Sequence, residues 1–85
     1  MRMTITGTVQ GVGFRPAVYR AAERVGASGA VWNDGSSVVI DTDKGEELLE
    51  SLMSDLPPLA SIRSVTRSDV PYTGGKGFSI VRSSG

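Results

Sequence analysis

An alternating run of threonines and apolar residues leads straight into Val9-Gln10-Gly11-Val12-Gly13-Phe14-Arg15-Pro16, and helical spacing begins directly behind it. Met3, Ile5, Gly7 and Val9 alternate with Thr4, Thr6, Thr8 and Gln10, the period-two pattern of a strand with one buried and one wet face. Pro16 fixes a backbone angle suited to the first turn of a helix. A strand, a glycine-rich turn and a helix N-terminus gather backbone N–H groups around one point, where the helix dipole favours negative charge. Arg15 stands at this junction and adds a forked cation that matches phosphate oxygens. The segment predicts a strand–loop–helix unit whose loop holds a phosphate or another small oxyanion. Taken alone, Gly11-Val12-Gly13 also suits a plain tight turn. An arginine at a helix start also suits plain solvation. The dipole disfavours a cation there, however, and an anion between the two makes the placement easier to understand.

Behind Pro16, the residues Val18, Ala21, Ala22 and Val25 recur at helical spacing, with Arg20, Glu23 and Arg24 on the other side. Gly26 is a natural C-terminal stop, so the pattern predicts a helix over about 15–25. Two short strands follow, about 29–33 and 38–43, joined by Asn33-Asp34-Gly35-Ser36-Ser37. Asp-Gly between alternating runs signals a hairpin, and five linking residues suggest a looser turn than the two-residue type. A second amphipathic helix starts at Glu46, with Leu48, Leu49, Leu52, Met53 and Leu56 on one stripe, and ends at Pro57-Pro58. Residues 62–69 and 78–82 read as two more strands around the Pro71–Gly75 loop. The order predicts an α+β fold, a ferredoxin-like βαββαβ sandwich with a mainly antiparallel sheet and two helices on one face.

Eighty-five residues make one small domain. Nine basic and nine acidic residues balance to zero, which argues against an electrostatic nucleic-acid partner. The chain has no cysteine and no histidine. Disulfides, thiolate metal sites, Cys–His and Ser–His catalysis and the commonest neutral-pH base are thereby excluded. Any chemistry must run on Arg, Asn, Thr, Ser, carboxylates and backbone, with no cofactor and no metal expected. No apolar run approaches the ~20 residues of a membrane span and no signal-peptide pattern is visible, so the cytoplasm is the default setting.

The run Gly7-Thr-Val-Gln-Gly-Val-Gly-Phe-Arg15, with Gly29-Ala-Val-Trp-Asn33 beyond the first helix, resembles the acylphosphatase family over nearly the whole chain. The resemblance implies that Arg15 binds the substrate phosphate and that Asn33 positions the attacking water. It also implies that the backbone amides of Gln10, Gly11, Val12, Gly13, Phe14 and Arg15 form a phosphate cradle. The substrate class implied is an acyl phosphate. A finer resemblance, carried by Phe14-Arg15-Pro16-Ala17-Val18-Tyr19-Arg20, Pro57-Pro58-Leu59-Ala60 and Phe78-Ser79-Ile80, is to the N-terminal acylphosphatase-like domain of the hydrogenase-maturation carbamoyltransferases (HypF type). It implies carbamoyl phosphate as substrate, downstream domains of the same polypeptide as partners, and a chain that is a fragment of a larger protein. The family often has Gly-Trp-Val-Arg-Asn before the hairpin, whereas Trp32 precedes the asparagine here.

Other residues read more plainly. Phe14 is expected to anchor the loop in the core, and Trp32 to pack or to form a site wall rather than to stack on nucleic acid. Asn33 also suits a turn residue. Asp41 and Asp43 alternate on one strand and read as a solvated face rather than a metal pair. Arg63, Arg67 and Arg82 are expected to cover the outer sheet. Two further functions compete with hydrolysis. One is a phosphate-binding module with little turnover of its own. The other is a ferredoxin-like RNA-binding domain, which lacks the paired strand aromatics it would need.

Overall fold

The structure, a computed structural model, describes residues 1–82. In β1 (Arg2–Thr8) Met3 and Ile5 are fully buried while Thr4 and Thr6 stay partly exposed, so the alternation in the sequence becomes two faces of one strand. The chain continues through α1 (Phe14–Val25), β2 (Gly29–Asp34), β3 (Ser37–Thr42), α2 (Gly45–Ser54), β4 (Ser61–Ser68) and β5 (Phe78–Ile80). The strands form one sheet in the order β4-β1-β3-β2-β5. All pairs are antiparallel except β2 with β5, which run parallel. This mixed sheet with two helices is the α+β arrangement expected.

Both helices pack on the same side of the sheet. Phe14, Ala17, Val18, Ala21 and Ala22 of α1 and Leu48, Leu49 and Leu52 of α2 share one core with Met3, Ile5, Val31, Val38 and Ile40. Each fully buried large side chain contributes about 1.5–3 kcal/mol, a sizeable share of what a domain this small has. The first helix ends where Gly26 turns left-handed (φ 68°), with Ala27 N–H bonded back to Ala22 O.

Several details depart from the sequence reading. The first helix starts one residue earlier, at Phe14. Asn33 pairs with Val38 and Asp34 with Ser37, so the hairpin closes through only two residues, Gly35 and Ser36. Gly35 has φ 62°, the positive angle that a II′ turn requires at its first central position. Met53 is 52% exposed and leaves the apolar stripe of α2. Arg67 does not cover the outer sheet, because its guanidinium reaches Glu46 of α2 at 2.7 Å on the helix side. The last strand stops at Ile80 rather than Arg82, although Val81 N–H still bonds Val31 O at 2.8 Å.

The sheet face away from the helices is polar. Thr6 and Ser64 hydroxyls bond across β1 and β4, and Arg2 lies with its Cζ 5.8 Å from the Trp32 ring centroid. Trp32 thus packs under a cation on this face rather than forming a wall of the site described below. Asp41 sits 3.7 Å from Arg2, and Asp43 accepts the Ser28 N–H at 2.8 Å. Among the described residues, no helix is long and apolar enough to cross a membrane.

Candidate active site

The loop between β1 and α1 bends by two left-handed glycines, Gly11 (φ 72°) and Gly13 (φ 77°, ψ 22°). A Cβ at either would meet nothing within 4 Å. Crowding therefore does not select glycine here; the left-handed backbone does, since it costs an L-residue about 1–2 kcal/mol. Such turns aim successive N–H groups into one concavity, which suits an anion. Val9 and Phe14, 2% and 1% exposed, clamp the two ends of the loop to the core.

Gly13 caps α1 without any side-chain bond, and no acidic residue lies in the first turn. The first helical bond runs from Ala17 N–H to Gly13 O, and Pro16 has no N–H to offer. The N–H groups of Phe14 and Arg15 therefore have no partner within the helix, and no acidic side chain in the first turn compensates the positive end of the dipole.

Arg15 is half-buried and lines an open cleft of about 430 Å³ together with Pro16, Ile80 and Arg82. The cleft lies between the start of α1 and the end of β5. Its far wall is held in two ways: the Tyr19 and Phe78 rings meet edge to face at 6.4 Å, and Val81 bonds to Val31. Placing Arg82 in this wall overturns the expectation that it covers the outer sheet. The period-two alternation of Phe78, Ile80 and Arg82 was the available signal, because Phe78 packs against the core.

Asn33 comes from a separate element. It lies near the end of β2, on the same strand face as buried Val31, and its Oδ1 is buried without a hydrogen-bond partner. An acceptor left unpaired costs about 1–3 kcal/mol. A rotation about the terminal torsion exchanges its carbonyl and amino ends, so the residue can offer an acceptor or donors. Asn33 is not among the residues lining the cleft. The link is Gln10, whose Nε2 donates to Gly35 O at 2.6 Å and to Ser37 O at 3.2 Å. The sequence reading assigned Gln10 only a backbone role and missed this bond. Gln10, Gly11, Val12, Gly13, Phe14 and Arg15 thus form one junction, and a side chain ties that junction to the hairpin carrying Asn33. The loop can hold an oxyanion, and the Gln10 bonds fix it against the hairpin.

The sequence model of the acylphosphatase family matches residues 1–80. Over its full length the chain is 38% identical to the carbamoyltransferase HypF of Rhizobium leguminosarum bv. viciae, of which it spans 12%. It is 32% identical to the acylphosphatase of Thermotoga petrophila, with 94% of this chain and 93% of that protein covered. The crystal structure of the acylphosphatase from Bacillus subtilis superposes with a TM-score of 0.72 at 32% identity, covering 94% of both chains.

Proposed function

This chain belongs to the acylphosphatase family, and from that premise we propose that it hydrolyses an acyl phosphate at the Gln10–Arg15 loop, with carbamoyl phosphate as the substrate. The observation that carries the reading is the uncapped α1 N-terminus, where two left-handed glycines precede a half-buried arginine that faces an open cleft. An acyl phosphate is a mixed anhydride and is already activated. Its hydrolysis asks for charge stabilisation and a positioned water more than for a strong base, which suits a chain without histidine.

In the proposed reaction the loop amides and the Arg15 guanidinium hold the phosphoryl oxygens. Asn33 orients a water for in-line attack on phosphorus. The P–O bond to the acyl group breaks, its electron pair leaves with the carboxylate or carbamate, and a water proton passes to a phosphate oxygen. Removing one preorganised donor of this kind costs about 10²–10³ in kcat. The resemblance to HypF supports carbamoyl phosphate, the context of [NiFe] hydrogenase maturation, a place as the N-terminal domain of a larger carbamoyltransferase, and a cytoplasmic setting.

Phosphate release from carbamoyl phosphate and from acetyl phosphate by wild type, Arg15→Ala and Asn33→Ala tests the reading. Wild type should exceed both variants, with a higher kcat/KM for carbamoyl phosphate. Release equal to that of the variants refutes hydrolysis; a preference for acetyl phosphate refutes the substrate assignment. A second reading, a module that binds phosphate with little turnover, is favoured by Asn33 standing outside the cleft wall. Phosphate binding without any turnover would select it.

A further inference from the structure

Two guanidinium groups from opposite ends of the chain, Arg15 and Arg82, line one cleft, and among the described residues no carboxylate lines it. In a chain whose charges balance to zero, such a pairing is a local excess of positive charge that an anion between the two would relieve. The main chain leading to Arg82 is fixed by the Val81–Val31 bond, which extends the parallel ladder beyond the Val31–Ile80 pair. Continuing that register brings Arg82 level with Asn33 on the neighbouring strand. The alternation along this segment puts Arg82 on the side of Phe78, toward α1, and away from the open sheet face.

We propose that Arg82 is a second phosphate-binding residue of this site, holding the substrate from the wall opposite Arg15; the proposal rests on the acyl phosphate reading above. The loop amides and Arg15 approach the phosphoryl group from the α1 side, and a dianion has charge left for a second fork. Arg82 is exposed and meets the phosphoryl oxygens, whose negative charge is already present before the P–O bond breaks. A solvent-exposed cation held to charge that the bound substrate already carries contributes to ground-state and transition-state binding alike, so the proposal assigns it to affinity rather than to the rate of the chemical step.

The experiment measures inorganic phosphate binding directly by titration, beside steady-state kinetics with acetyl phosphate, for the full chain and three variants. Arg82→Gln is expected to weaken phosphate binding and raise KM together by about fivefold to tenfold, with kcat within about twofold of wild type. Arg82→Lys should recover part of the affinity, since a point charge replaces only part of a fork. Arg63→Gln removes the same charge from β4, at the other edge of the sheet, and should change neither quantity. Unchanged phosphate affinity in Arg82→Gln overturns the proposal. Equal weakening by Arg63→Gln overturns it too, by reducing the effect to net charge, and so does a loss confined to kcat. Binding is read without turnover, so an inactive wild type that binds phosphate refutes hydrolysis while leaving Arg82 testable. A wild type that binds no phosphate overturns the Arg82 proposal, whatever its turnover.

Discussion

Gln10 donates from its Nε2 to the main-chain carbonyl of Gly35 at 2.6 Å, and the same nitrogen reaches the carbonyl of Ser37 at 3.2 Å. One end of this contact lies in the loop proposed as the anion cradle, and the other at the turn two residues beyond Asn33. Each such bond adds only about 0.5–1.5 kcal/mol to stability, yet a misplacement of about 1 Å in a catalytic group can cost about 10²-fold in rate. Gln10→Ala keeps the main-chain N–H of the cradle. It should lower kcat at least about tenfold while phosphate affinity stays within about threefold. Steady-state kinetics beside phosphate titration check this; equal losses in both would mean that Gln10 holds the loop alone.

Arg15 is the cation nearest the uncapped helix end, and its fork is what the phosphoryl oxygens would read. Arg15→Ala should weaken inorganic phosphate binding by at least about tenfold, and Arg15→Lys should recover little of it because an ammonium does not reproduce bidentate geometry. Removing a cation from a helix start also relieves an unfavourable dipole contact of about 0.3–1 kcal/mol. The thermal midpoint of Arg15→Ala without phosphate should therefore hold or rise. A fall in both the midpoint and the affinity would point to a structural role.

The parts of this fold set by local pattern could be read before the structure. Met3 and Ile5 had to face one way, and Val18, Ala21 and Ala22 had to share a stripe, because nothing else in so short a chain buries enough apolar surface. The hairpin is tighter than its sequence suggests because Asp34 and Ser37 are polar and turn-like, while ladder pairing uses only their backbones. Met53 fits the apolar stripe by spacing, yet lies beyond the reach of the core. The left-handed loop and uncapped helix start are local and visible as Gly-x-Gly before a helix. The cleft is not, because its second wall depends on β5 lying parallel beside β2, a pairing of distant segments that no local pattern in one sequence specifies. The Gln10 contact is hidden for the same reason.

Asn33 carries a buried acceptor without a protein partner, so replacing it removes an unpaired polar atom as well as the group proposed to orient water. Asn33→Ala should leave the fold as stable as wild type or slightly more so, and phosphate affinity close to unchanged. Its kcat should fall about 10²–10³-fold. Thermal melts, phosphate titration and turnover measured on one preparation decide the matter. Loss of phosphate affinity would contradict the role given to the carboxamide.

Gly13 caps α1 in the left-handed region, with open space where a Cβ would stand. Gly13→Ala therefore creates no clash and costs only the backbone preference, about 1–2 kcal/mol. For a domain of this length that corresponds to a fall in Tm of roughly 4–16 °C. Phosphate binding should weaken as well wherever the strained cap relaxes toward negative φ, since that rotation re-aims the amides of Phe14 and Arg15. A variant that melts lower yet binds phosphate as wild type would separate the cap from the cradle.

The pH profile distinguishes a site that works by holding charge from one that works by moving protons through a side chain. The chain has no histidine and no cysteine, and histidine is the side chain whose ordinary pKa falls between pH 5 and 8. In the proposed reaction the titrating partner in this range is the substrate, whose phosphoryl group must carry its charge to be held by the loop and whose oxygen takes the proton of the attacking water. The rate should therefore follow a single inflection that shifts when the acyl group, and with it the phosphate acidity, is changed. Measuring kcat/KM from pH 5 to 8 for two acyl phosphates of different phosphate acidity tests this. A bell-shaped profile whose limbs stay fixed across both substrates would assign an acid and a base to the protein, and would remove substrate-held proton transfer from the mechanism.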